Sequence, residues 1–145
     1  MGFLILNIKT RQKKRLISTK DNSKKKIDNS NLIYIAANAA EEKKGENIVL
    51  LDVSRLTVLS DYFLIITAKS SSQIEAIASN IEEELVKMNC QLISKEGFIE
   101  SNWTVLDFGN IIVHIMREKE REYYKLERFW CNATTIDKKQ WKKAS

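Results

Sequence analysis

Apolar residues recur along this chain in two periods. Leu32, Ile33, Ile35, Ala36, Ala39 and Ala40 fall at the three-and-four spacing of one helix face. Asp28, Asn29, Ser30 and Asn31 offer N-caps before them and Gly45 a stop after them, so a first helix is predicted there. Asn47 to Val53 and Tyr62 to Ala68 are short, almost wholly apolar runs of strand length. Such runs predict central strands covered on both faces. Ser72-Gln73-Ile74-Glu75 has the form of a capping box, with Ser72 as cap. Behind it Ile74, Ile77, Ala78, Ile81, Leu85 and Met88 mark one face of a second helix running to Asn89, with Glu82, Glu83 and Glu84 turned largely to water.

A weaker strand around Leu92-Ile93 follows, which gives the βαβ order of an α/β sheet. Trp103 to Phe108 and Ile111 to Met116 flank Gly109-Asn110 and read as an antiparallel hairpin. Alternation puts Trp103, Val105 and Asp107 on one face, and His114 on a face with Ile112 and Met116. A last helix is predicted from about Glu120 to Phe129, with Tyr123, Leu126, Phe129 and Trp130 on its apolar side. The expected fold is α/β: a mixed sheet of about five strands flanked by helices.

Charge divides the chain differently from hydropathy. The 145 residues carry 24 Lys and Arg against 19 Asp and Glu, net +5. The first thirty residues alone hold +7 and the last eight +4, so residues 31–137 are acidic at −6. The expected organisation is a flexible, disordered basic arm (1–30), an α/β domain (31–137) and a basic tail (138–145), with direct phosphate contact confined to the two ends. No apolar stretch approaches the roughly 20 residues of a membrane span. In the arm the charge follows the apolar run Phe3-Leu4-Ile5-Leu6 instead of preceding it, which argues against a secretory signal. Its Lys, Arg and Ser content leaves an organelle transit peptide as the alternative to a cytoplasmic protein.

Chemistry-bearing residues are few. Cys90 and Cys131 stand alone, and with the single His114 they make no zinc set. Asp107-Phe108-Gly109 matches the magnesium-binding tripeptide of protein kinases, but no His-Arg-Asp loop or Gly-rich loop accompanies it. Asp52 and Asp61 suit turn caps at their strand ends better than a metal pair, and a lone His in an apolar strand suits a hydrogen-bonded structural role better than a base. No nucleophile, base and orienting group come together. No catalytic residue, cofactor or metal is expected.

The ordered set Asp52-Val53-Ser54, Asp61-Tyr62-Phe63, Ser70-x-x-Gln73, Ala76-Ile77-Ala78, Glu96-Gly97, Trp103-x-x-x-Asp107-x-Gly109, Val113-His114 and Arg121-x-x-Tyr124-x-Leu126-Glu127-x-x-Trp130 resembles the ribosomal silencing factor, or Iojap-like, family. The resemblance covers about Leu32 to Ala133. It departs from the family pattern at Ala68, where Gly is usual, and at Asn110, where Asp is usual. It implies a nucleotidyltransferase-like fold without transferase activity. It also implies a translational repressor that binds the large ribosomal subunit at its intersubunit face, through the basic ribosomal protein numbered fourteen, and blocks joining of the small subunit.

An acidic body suits such a partner, and the basic ends suit nearby rRNA. Trp103, Asp107, His114 and Tyr124 are the expected partner-binding residues. Trp103 follows the polar Glu100-Ser101-Asn102, which places its indole near solvent as the anchor; a core Trp packed on the last helix is the competing reading. The alternative functions are an assembly factor binding RNA through its tails and a metal-dependent nucleotidyltransferase. Dimerisation of the free protein stays open.

Overall fold

The computed structural model describes residues 30–98 and 102–142, so the arm expected before Ser30 lies outside the described residues. Helix α1 (Ser30–Glu42) leads through a tight turn into β1 (Glu46–Asp52) and, after a loop, β2 (Tyr62–Ala68). Helix α2 (Ser71–Val86) follows, then β3 (Ser94–Phe98), β4 (Trp103–Asp107) and β5 (Ile111–Arg117). The chain closes with α3 (Glu118–Tyr124), a 3-10 turn (Leu126–Trp130), β6 (Thr134–Ile136) and α4 (Lys138–Lys142).

The strands form one mixed sheet in the order β3-β4-β5-β2-β1-β6. Only β2 and β5 pair in parallel, from Tyr62 opposite Ile111 to Ala68 opposite Arg117; every other pairing is antiparallel. This is the α/β class expected, with one strand more. The helical crossover after β2 delivers β3 to the far edge, and β4 and β5 return inward to fill the gap. The full two-sided covering expected of both early strands holds for β2. In β1 Glu46 and Asn47 are exposed, because the neighbouring β6 pairs only with Leu50 to Asp52.

Apolar layers lie on both faces. On one, Ile33, Ala36 and Ala40 of α1 and Ile74, Ile77 and Ile81 of α2 pack on Leu64, Ile66, Val113 and Ile115. The small Ala36, Ala37, Ala39 and Ala40 let the two helices approach, and Asn80 Nδ2 donates to the Ala39 carbonyl at 2.8 Å in the buried seam. On the other face Leu51, Phe63, Ile65, Trp103, Val105, Ile112 and Met116 are covered by Leu126 and its neighbours.

The turn after α1 depends on Gly45. A Cβ there would stand 2.7 Å from Ile66 Cγ2 and 3.0 Å from the Ala40 carbonyl oxygen. Ile66 is fully buried and cannot swing aside. Gly45→Ala should therefore cost about 1–3 kcal/mol by overpacking, read from urea unfolding midpoints; an unchanged midpoint would contradict this account.

Four local expectations are corrected. The cap of α2 is Ser70, not Ser72: its Oγ accepts from Gln73 N at 3.1 Å. Gln73 Oε1 reaches back to Lys69 N at 2.6 Å, while Gln73 Nε2 donates to the Lys43 and Lys44 carbonyls. The box sits two residues earlier because Gln73 there also satisfies the carbonyls that end α1. The third strand begins at Ser94, after Leu92-Ile93; as an edge strand it needs no apolar run, and Ile93 is exposed. The last helix breaks at Lys125, which takes a left-handed conformation (φ 46°). That reversal turns the chain onto the sheet, where Leu126 is buried and Trp130 meets Phe63 edge-on at 4.9 Å. Finally, the basic stretch from Lys138 is a helix as far as Lys142. Trp141 is buried, its carbonyl accepts from Asn38 Nδ2 at 3.0 Å, and Lys138 and Lys142 pair with Glu41.

Candidate functional site

The register of β4 on β5 sets Trp103 opposite Met116 and Val105 opposite His114, so Trp103 and His114 are diagonal neighbours on one face. Trp103 Nε1 donates to His114 Nδ1 at 3.1 Å, which leaves the imidazole proton on Nε2. His114 is buried, and burial holds its pKa down at about 4. It is a neutral acceptor at physiological pH, with one nitrogen already committed to the indole.

A chain of rings runs outward from this pair. Trp103 lies 5.8 Å from Phe98 and 5.0 Å from Tyr124, and Tyr124 lies 5.0 Å from Tyr123, which is 69% exposed. Inward, His114 meets Phe63 at 6.1 Å. Trp103 is the hub and is itself 0% exposed, so the expectation of an indole near solvent is corrected. Strands pair on both sides of it and Tyr124 covers it; polarity just before a strand says nothing about what will roof the strand's first residue.

Three of the four expected partner-binding residues thus come together. Asp107 does not. It lies four residues along β4, about 14 Å away at strand rise, and its Oδ1 accepts from Gly109 N at 2.8 Å to shape the hairpin turn. At that turn only Gly109 takes positive φ, 98°. Asn110 contributes its main-chain oxygen to Asp61 N and Tyr62 N, bonds that an Asp would make equally well.

Two residues not expected at the site from the sequence, Arg121 and Tyr123, also belong here. Arg121 donates from Nε to Glu127 Oε1 and from an Nη to Thr67 Oγ1, both at 2.8 Å, tying α3 to the 3-10 turn and to β2. The signal was present in the Arg121-x-x-Tyr124-x-Leu126-Glu127 spacing. Tyr123 borders an open cleft of about 570 Å³ lined also by Lys119, Glu120, Glu122, Tyr124 and Lys125. Asp52 Oδ1 caps its own turn by accepting from Ser54 N and Oγ. Among the described residues no three His, Cys, Asp or Glu side chains stand together as a metal set, and no described helix is long and apolar enough to cross a membrane. The arrangement is suited to contact through an aromatic surface braced from beneath.

Comparison with known proteins gives one consistent answer. A family model described as "Ribosomal silencing factor during starvation" matches residues 25–145. The ribosomal silencing factor RsfS of Bacillus subtilis is 35% identical over 111 residues, covering 77% of this chain and 94% of its own. The chloroplastic protein Iojap of Zea mays is 41% identical over 101 residues, 70% of this chain and 44% of its own. A crystal structure from Bacillus halodurans superposes with a TM-score of 0.64 at 31% identity, over 73% of this chain and 96% of that one.

Proposed function

Since the chain belongs to the ribosomal silencing factor family, we propose that it binds the large ribosomal subunit at its intersubunit face, through the basic ribosomal protein numbered fourteen, and blocks joining of the small subunit. The observation that carries this reading is the family match over residues 25–145, which takes in every described residue. The acidity of residues 31–137, net −6, complements a basic partner. In this reading Tyr123 and Tyr124 meet the partner, Trp103 and His114 brace them, and Asp107 serves the hairpin turn. The cations between Lys9 and Lys26 would add rRNA contact through released counterions. We place the protein in the cytoplasm; the chloroplastic relative supports the organelle alternative, and imaging a tagged copy decides between them.

Sedimentation with separated subunits tests the proposal. The protein should migrate with large subunits, without nucleotide, and prevent reassociation when small subunits are added. Tyr123→Ala, altering an exposed ring, should weaken binding by about tenfold or more while leaving unfolding unchanged. Equal binding to both subunits, or unimpaired joining at saturating protein, would refute it.

A further inference from the structure

Of the seven large hydrophobic side chains exposed among the described residues, five belong to one end of the sheet: Leu56 (45%), Val58 (83%), Val86 (47%), Met88 (52%) and Ile93 (55%). The topology brings them there. β1 ends and β2 begins at this end, joined by the loop carrying Leu56 and Val58; α2 finishes here, and the chain passes Met88 and Ile93 on its way into β3. The β4–β5 turn lies between the two groups. Its Asn110 oxygen accepts from Asp61 N and Tyr62 N, and on the other side Ile93 N donates to the Asp107 carbonyl at 2.7 Å.

The same end is where the preceding residues join the domain. The finish of α1 is bonded to the start of α2 by Gln73, and the two helices pack along their length, so α1 begins beside the finish of α2. The 29 residues before Ser30 therefore attach next to this apolar rim. They contain a strand-like run, Phe3-Leu4-Ile5-Leu6-Asn7-Ile8, followed by the nine cations. Acidic groups accompany the rim: Glu83 and Glu84 near the finish of α2, and Asp52, Asp61 and Asp107 at strand ends.

We propose that this end of the sheet is the docking surface for the chain's own Phe3–Ile8 segment. The lengths agree. From the β1–β2 loop to β3 is about four strand spacings, roughly 19 Å, and six extended residues span about 20 Å. The 21 residues between the segment and Ser30 can reach up to about 70 Å, far more than is needed. Charge acts in the same direction: Phe3–Ile8 is itself uncharged, but residues 1–30, which contain it, carry +7 against the −6 of residues 31–137.

The test uses the full chain and its two thiols. Cys90, half-buried, sits between Met88 and Leu92, while Cys131 is exposed elsewhere and serves as internal reference. Replacing Leu4→Asp and Leu6→Asp together should raise alkylation of Cys90 and hydrogen exchange in residues 54–60 and 86–93 by about tenfold, with Cys131 unaffected. Val58→Asp, at a position too exposed to disturb the core, should do the same from the other side. Identical rates in wild type and variants would overturn the proposal. So would protection that survives the substitutions and grows with protein concentration, which would assign the surface to a second copy.

Discussion

Trp103→Ala is expected to remove about 3–5 kcal/mol of unfolding free energy, the range for truncating a fully buried large aromatic. Three losses add up. The indole leaves a cavity in a layer where it is 0% exposed; Phe98 and Tyr124 lose the ring they pack on; and His114 Nδ1, buried, loses its donor, a penalty of about 1–3 kcal/mol when nothing replaces it. Urea unfolding of the two proteins measures the effect. The large-subunit binding proposed above should fall as well, at least in proportion to the unfolded fraction, because Tyr124 also loses its support. A variant within about 1 kcal/mol of wild type would show that the indole is not the hub described.

The second large effect is a pH dependence that belongs to one residue. His114 is the single histidine of the chain, and burial sets its folded pKa at about 4, below the ordinary 6.5. Between those values the unfolded chain binds a proton that the folded protein refuses. Stability should therefore be complete above about pH 7, fall as the pH drops below 6.5 and level off below 4. The loss amounts to about 1 kcal/mol between pH 7.5 and 5.5, and about 3 kcal/mol by pH 4. The chain has no other histidine, so His114→Gln, whose amide oxygen can still accept from the indole, should flatten the dependence between pH 7.5 and 5.5. A variant that loses as much stability as wild type between pH 7.5 and 5.5 would assign the dependence elsewhere.

The features readable in the sequence are those decided by local pattern. Runs of aliphatic residues identified β2 and β5 because strands buried on both faces have no polar alternation to hide them. The Ala-rich face of α1 and the isoleucine stripe of α2 were equally plain. What escaped depended on distant partners. Ser70 and Ser72 are equivalent caps until Gln73 must also reach the finish of α1. Lys125 has no residue type that announces a left-handed turn; the break follows from burying Leu126 and Trp130 on the sheet. Strand β6, three residues of Thr134-Thr135-Ile136, exists because β1 offers it an edge. Within the candidate site the pairing of Trp103 with His114 follows from strand alternation and register, whereas the burial of Trp103 is not legible locally because its cover comes from Tyr124, twenty-one residues on.

The clasp of Trp141 on α1 joins residues 103 positions apart, measured from Asn38. Its consequence is one of timing. Chains grow from the N-terminus at about 5–20 residues per second, so α1 is complete some 5–20 s before the tryptophan that closes over it has been synthesised. During that interval the sheet can assemble, but the seam beneath Tyr34 and Asn38 stays open. The domain finishes folding only once residue 141 has been added to the chain, and a restraint that holds Lys138–Lys142 away from α1 would stop it at that last step.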